Sequence, residues 1–232
     1  MEYAPNGSLD TIIRDYAKLG QRFEESKITH WTQELSSALH HCHDKLNVVH
    51  RDIKPANILV DRLGGLKIAD FGLSRGLTAH DNHMCETEVG TPLYLSPEQC
   101  RGESYSYPTD IWALGCVIFE LMAGRSPWMA PGAVPTYAVL IQRILHGEID
   151  ATGVAGHYSE RLSATVRWML ARNIPHRVTA AQIVAHLDLR APPVTTITTT
   201  TAVLARQQDL VRDAERLTAA VALQRSVRRS FE

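Results

Sequence analysis

The stretch His50-Arg51-Asp52-Ile53-Lys54-Pro55-Ala56-Asn57 places an acid, a lysine and an amide within a few residues of chain. Thirteen residues beyond Asn57 comes Asp70-Phe71-Gly72, which adds a second acid. The apolar runs Ile58-Leu59-Val60 and Leu66-Lys67-Ile68-Ala69 lie between the two segments and flank Gly64-Gly65, a pattern that predicts a β-hairpin. We therefore expect the two polar segments to form neighbouring loops.

These four polar side chains suit phosphoryl transfer, in which catalysis consists mostly of positioning and charge neutralisation. Asp52 is expected to accept or orient the proton of a substrate hydroxyl, and Lys54 to offset the charge of the transferred phosphate. Asn57 and Asp70 carry the hard oxygen ligands that magnesium prefers. Each residue alone also fits an ordinary place in a turn or on a surface, but their spacing favours the catalytic interpretation.

The two loops resemble the catalytic loop and the metal-binding loop of protein kinases. Val89-Gly90-Thr91-Pro92-Leu93-Tyr94-Leu95-Ser96-Pro97-Glu98 is similar to the substrate-binding end of a kinase activation segment. Tyr107-Pro108-Thr109-Asp110-Ile111-Trp112-Ala113-Leu114-Gly115-Cys116 is similar to the start of the central buried kinase helix. Together these runs most resemble NIMA-related (NEK) serine/threonine kinases, over about residues 1–189.

This resemblance implies a mainly α (α+β) fold over residues 1–189, a kinase C-terminal lobe with a small β-hairpin and without the β-rich N-lobe. It implies ATP and Mg²⁺ as cofactors and serine or threonine of a protein as substrate. Glu2 and Ala4 resemble the hinge beside the nucleotide, and Leu59 the residue under the adenine ring. The resemblance also assigns structural roles to six residues: His50, Phe71, Gly72, Glu98, Asp110 and Arg177. Among these, Asp110 is expected to anchor the catalytic loop, and Glu98 is expected to form an ion pair with Arg177.

Two positions depart from the family pattern. Ser96 stands where alanine is common, and Val178 follows Arg177 where proline is common. Control by phosphorylation is also implied, because the arginine at the Arg51 position receives an activation-loop phosphate in kinases of this pattern. Thr87 lies at the matching phosphosite position. The alternative is that Thr87 is an ordinary loop threonine between two glutamates.

The helical periodicity predicts a helix after Ser8, which is expected to cap it, and a longer helix over about 24–46. Further helices are predicted over about 107–123, with Gly124 as the stop, and over 134–145, 159–171 and 179–187. Residues 72–96 have no clean period and predict an exposed loop. The four tryptophans are expected to pack in the core or in grooves.

Residues 190–232 differ in character from the rest of the chain. Residues 190–201 are rich in proline and threonine and predict a linker. Residues 202–232 then predict an amphipathic helix, in which Val203, Leu210 and Leu217 recur every seven residues. This helix could self-associate through residues 203–221 as a short coiled coil, or it could be a single helix that docks on the domain or frays in solvent.

The composition is that of an ordinary globular chain: 232 residues, 44% hydrophobic, with a net charge of −1. It argues against a nucleic-acid or membrane partner, and the four widely spaced cysteines favour a reduced, cytoplasmic protein. Family resemblance adds the option of cytoskeletal association.

The sequence contains no G-x-G-x-x-G motif and no strand lysine of the kind kinases use to hold phosphates. We therefore expect a chain cut at the hinge, inactive in isolation. It is either part of a longer kinase, or a non-catalytic, pseudokinase-like interaction module, or a chain that recruits its missing lobe. The first is favoured because the catalytic residues of the loops occur together.

Overall fold

The computed structural model describes residues 6–73, 75–76, 92–104, 106–130, 135–150 and 154–188. The helices are α1 Leu9–Lys18, α2 Glu25–Asp44, α3 Pro97–Cys100, α4 Tyr107–Ala123, α5 Tyr137–His146, α6 Glu160–Met169 and α7 Ala180–Asp188. The strands are β1 Val48–Val49, β2 Ile58–Val60, β3 Leu66–Ile68 and β4 Arg75–Gly76. Short 3₁₀ turns cover Pro55–Asn57, Phe71–Leu73 and Ile174–His176. The mainly helical prediction is confirmed, with boundaries within a few residues of those expected.

Two small antiparallel sheets flank the catalytic loop. β2 pairs with β3 in the register Ile58 to Ile68 and Val60 to Leu66, so the predicted hairpin is confirmed. β1 pairs with β4, with Val49 opposite Arg75. The prediction of a single hairpin followed by a loop from residue 72 was wrong here. A two-residue strand has no readable period, and its partner lies more than twenty residues away along the chain.

Helix α4 forms the centre of the core. It is buried on nearly all sides, from Thr109 to Met122, as expected for a helix that is hydrophobic all round. Gly115 faces α6 so closely that an added Cβ would lie 2.8 Å from Cβ of Met169. Gly124 ends the helix with φ +69°, which confirms it as the stop.

Helix α2 covers a second side of the core and packs on α4 and α7. Its buried face includes Ile28, Trp31, Leu35 and Leu39, which recur at helical spacing. Helix α1 begins directly after Ser8, which is its N-cap residue as predicted, although the Ser8 side chain makes no capping bond to the backbone. Ser8 Oγ lies instead 3.3 Å from the Thr11 hydroxyl.

Within the described ranges, no helix is long and apolar enough to cross a membrane. Cys42, Cys100 and Cys116 are free thiols. Several predicted features lie outside the described residues: Glu2 and Ala4, Thr87, the linker at 190–201 and the helix at 202–232.

Candidate active site

The carboxylate of Asp110, in the first turn of α4, anchors the backbone of the catalytic loop. This carboxylate is 1% exposed and accepts hydrogen bonds from the backbone amides of His50 (2.8 Å) and Arg51 (2.9 Å). His43 Nε2 lies 2.8 Å from the same carboxylate. Arg51 adopts φ +73°, a left-handed conformation that costs a non-glycine residue about 1 kcal/mol or more. The hydrogen bonds that these two amides donate to Asp110 hold the loop in this turn.

His50 connects the catalytic loop to the Asp70 loop. Its buried ring accepts from the Asp52 amide at Nδ1 (3.3 Å), and its Nε2 lies 3.1 Å from the Ala69 carbonyl oxygen. Burial lowers the pKa of His50, and the neutral ring protonated at Nε2 satisfies both contacts. The ring of Phe71 packs edge-on at 4.7 Å. The His50 imidazole therefore bridges the two loops through contacts to both.

The carboxylate of Asp52 is oriented by two donors. Lys54 Nζ lies 2.8 Å and Asn57 Nδ2 lies 2.7 Å from its Oδ2, and the same Asn57 nitrogen donates to the Asp52 carbonyl at 2.9 Å. The side chains of Asp52 and Lys54 are 25% and 38% exposed, so both can be reached by a substrate. The acid, the lysine and the amide therefore form one connected group.

Asp70 lies beside this group because of the hairpin. The Ala69 amide donates to the Asn57 carbonyl at 2.8 Å, which places Asn57 and Asp70 at the same end of strands β2 and β3. The exposed Asp70 carboxylate accepts from the Gly72 amide at 3.2 Å. A Cβ at Gly72 would lie 2.9 Å from the same oxygen, so a side chain there would collide with the carboxylate.

These residues have the chemistry of a magnesium site shared with phosphates. The described residues contain no cluster of three His, Cys, Asp or Glu side chains that could enclose an ion. Magnesium, however, is usually bound by one or two protein oxygens together with substrate phosphates and water. Because Asn57 uses its nitrogen on Asp52, its Oδ1 and the Asp70 carboxylate are the atoms suited to the ion.

Comparison with known proteins agrees with this geometry. The sequence profile of the protein kinase domain matches residues 1–187. The chain belongs to the protein kinase family. G2-specific protein kinase nim-1 of Neurospora crassa is 34% identical, over 79% of this chain and 23% of that protein. Serine/threonine-protein kinase Nek2 of Homo sapiens is 35% identical, over 79% and 40%.

The predicted resemblance to NIMA-related kinases is confirmed by these relatives. Mitogen-activated protein kinase kinase kinase YODA of Arabidopsis thaliana matches to a similar degree, at 35% identity over 82% of this chain and 20% of that protein. The chain spans between one fifth and two fifths of the length of these three relatives.

In this kinase domain, Glu98 and Arg177 form a buried bidentate pair across 79 residues of sequence. Nη1 and Nη2 of Arg177 donate to the two carboxylate oxygens at 2.7 and 3.0 Å. Burial alone would raise the pKa of Glu98, but the hydrogen bonds and charge of Arg177, with help from Thr109, lower it overall. The pair fixes α3, and with it the end of the activation segment, to the core.

Ser96, one of the departures from the family pattern, has a structural use. It is the first partner of a capping box in which its hydroxyl accepts from the Gln99 amide (3.4 Å) and Gln99 Oε1 accepts from the Ser96 amide (2.9 Å).

Leu59 lies half-buried on the face of β2 opposite to the core residues Ile58 and Val60. This face of β2 is therefore less buried than the face that carries Ile58 and Val60.

Sequence reasoning missed the pair formed by Tyr94 and Glu120. The Tyr94 hydroxyl donates to Glu120 Oε2 at 2.7 Å and connects the segment before α3 to helix α4. Burial raises the pKa of Glu120, and the Tyr94 bond partly opposes that rise. The available signal was a single glutamate within the apolar run from Ile111 to Met122.

Proposed function

We propose that this chain carries the catalytic C-lobe of a NEK-like serine/threonine protein kinase, which transfers the γ-phosphate of ATP to serine or threonine of a protein substrate. The observation that carries the proposal is the connected group of Asp52, Lys54 and Asn57, held beside Asp70 by the hairpin. Serine/threonine specificity is supported by Lys54 in the catalytic loop and by the similarity to serine/threonine-protein kinase Nek2.

In this proposal each residue acts at a stated atom. Asp52 accepts or orients the hydroxyl proton of the substrate through its carboxylate, a role that typically contributes about 10²–10⁴-fold in rate. Lys54 offsets charge on the transferred phosphate. Asn57 and Asp70 would hold magnesium, which when bound would neutralise charge on the phosphates. Asp110 positions the loop without touching the substrate.

Other roles complete the proposal by family resemblance. Glu2 and Ala4 provide the hinge beside adenine. Leu59, on the half-buried face of β2, lies under the adenine ring. Arg51 receives a regulatory phosphate placed on Thr87. We propose cytoplasmic residence because the four widely spaced cysteines favour a reducing compartment.

The 232 residues contain no Gly-rich loop to cover the phosphates. Residues 1–232 alone are therefore expected to bind ATP weakly and to show no measurable phosphotransfer.

The test is a kinase assay with a generic protein substrate and Mg-ATP. The protein assayed is the full-length product of the natural transcript that contains these residues. Asp52→Asn is expected to lower the rate by about 10²-fold or more, because it removes the proton acceptor. Asp44→Asn is the matched control, since Asp44 is exposed at the end of α2 and forms a surface ion pair with the neighbouring Lys45.

Both variants should unfold at the wild-type temperature. Equal activity of Asp52→Asn and wild type would overturn the proposal. A folded wild-type protein without any transfer would favour the non-catalytic interaction module.

A further inference from the structure

Two adjacent side chains in the first turn of α4 contact different parts of the proposed active site. The carboxylate of Asp110 holds the catalytic loop by accepting from the amides of His50 and Arg51. The hydroxyl of Thr109, one residue earlier, donates to Glu98 Oε1 on α3 at 3.0 Å. Thr109 and Asp110 are 3% and 1% exposed. One turn of α4 therefore holds both the catalytic loop and the start of α3.

The Thr109 hydroxyl belongs to a buried polar network at the start of α3. It lies 3.5 Å from the hydroxyl of Ser96, which begins the capping box of α3. Glu98 Oε1, the acceptor of the Thr109 bond, also accepts from Nη1 of Arg177 at 2.7 Å. These four residues are at most 5% exposed, so bulk water does not replace a contact that is lost here.

The network ends at the segment that receives the protein substrate in the proposed function. Residues 92–95 lead directly into Ser96 and are half-buried, so part of their surface is accessible to a partner. Tyr94, within this segment, donates to Glu120 further along α4. The segment is therefore attached to α4 at two places, through Tyr94 and through Ser96 at its end.

We propose that Thr109 is a positioning residue for the protein substrate, because its hydroxyl sets where residues 92–96 lie relative to the catalytic loop. This inference rests on the proposed function, which makes residues 92–95 the surface for the substrate. Thr109 is too deeply buried to touch a substrate, so it acts through Ser96 and Glu98. The neighbouring Asp110 holds the catalytic loop from the same turn of helix.

The effect of Thr109 is expected on the protein substrate and not on the nucleotide. Asn57 and Asp70, the residues proposed to hold magnesium beside the phosphates, hydrogen-bond to residues of their own two loops. Neither forms a hydrogen bond with Thr109 or Glu98 within the part of the chain that the structure describes. A change at Thr109 should therefore raise the KM for the protein substrate and leave the KM for Mg-ATP unchanged.

Thr109→Val tests this in the same kinase assay, with the protein substrate and Mg-ATP varied separately. Valine has nearly the shape of threonine and lacks the hydroxyl. The KM for the protein substrate is expected to rise about threefold, the effect of one lost hydrogen bond while Tyr94 still holds the segment. Thr109→Ser keeps the hydroxyl and should have the wild-type KM. A merely destabilised protein would lower the apparent kcat and leave both KM values unchanged.

Thr165→Val is the matched control. Thr165 is 1% exposed, and its hydroxyl donates to the Arg161 carbonyl within α6 at 2.8 Å, so this variant also loses one buried hydrogen bond. It should leave both KM values at the wild-type level. Hydrogen exchange tests the contact without catalysis: the amides of residues 93–95 should exchange faster in Thr109→Val than in wild type and Thr165→Val.

A wild-type KM for the protein substrate in Thr109→Val would overturn the proposal, and so would an equally raised KM in Thr109→Ser. A wild-type protein that transfers no phosphate would instead overturn the proposed function. The exchange rates then decide on Thr109 alone: faster exchange at residues 93–95 supports its positioning role, and unchanged exchange overturns it.

Discussion

Replacing Glu98 by glutamine would leave the guanidinium of Arg177 buried without its counter-charge. The side chains of the pair are only 2% and 0% exposed, so water cannot compensate. Removing one partner of a buried ion pair typically costs about 3–5 kcal/mol. Arg177 would keep its bonds to the carbonyls of Ala171 (2.8 Å) and Pro108 (2.9 Å). We therefore expect the low end, about 3 kcal/mol, a large share of the ~5–15 kcal/mol that stabilises a typical domain.

Urea denaturation at neutral pH, followed by circular dichroism, measures this loss. Glu103→Gln is the matched control, because Glu103 pairs with Arg101 at 3.7 Å with side chains that are 53% and 40% exposed. An exposed pair of this kind contributes at most about 1 kcal/mol. If Glu98→Gln destabilised the domain no more than Glu103→Gln, the reasoning from burial would be refuted.

The same pair predicts a pH dependence. Because the pKa of Glu98 is lower in the folded than in the unfolded state, its contribution is fully present above the unfolded value of about 4.3. It is lost as the pH falls through the lower, folded pKa. The difference in unfolding free energy between wild type and Glu98→Gln should therefore be constant from neutral pH to about 5 and shrink below about 4. A difference that stays constant at acid pH would contradict this assignment.

Three further predictions follow from the core and the catalytic loop. Asp110→Asn should speed hydrogen exchange at the amides of His50 and Arg51, because both donate to that carboxylate, and unchanged exchange would argue against the anchor. Gly115→Ala should cost about 1–3 kcal/mol in urea denaturation by overpacking against Met169, with a wild-type midpoint as the contrary result. Burial raises the pKa of Cys42 to about 12, so iodoacetamide at pH 8 should alkylate it far more slowly in native than in urea-unfolded protein; equal rates would contradict its burial.

Local sequence was sufficient for the elements with a strong periodic signal. Helix α2 was predicted over about 24–46 and spans Glu25–Asp44, and the hairpin was predicted from two apolar runs around Gly64-Gly65. The pairing of β1 with β4 could not be read, because two residues carry no period and the backbone bonds depend on a partner distant in sequence. The side chain of Ser8 likewise turned to Thr11 instead of the backbone.

The candidate site shows the same division. The order and spacing of Asp52, Lys54, Asn57 and Asp70 were enough to indicate phosphoryl transfer. Each of these side chains alone fits several chemical roles, but the four together at this spacing fit few. Tertiary structure decided what the spacing leaves open: that the His50 ring bridges the two loops, that the anchor Asp110 accepts from the amides of both His50 and Arg51, and that Trp168 faces solvent. The physical reason is that residue chemistry is local to the sequence, whereas burial and long-range hydrogen bonds depend on how the whole chain packs.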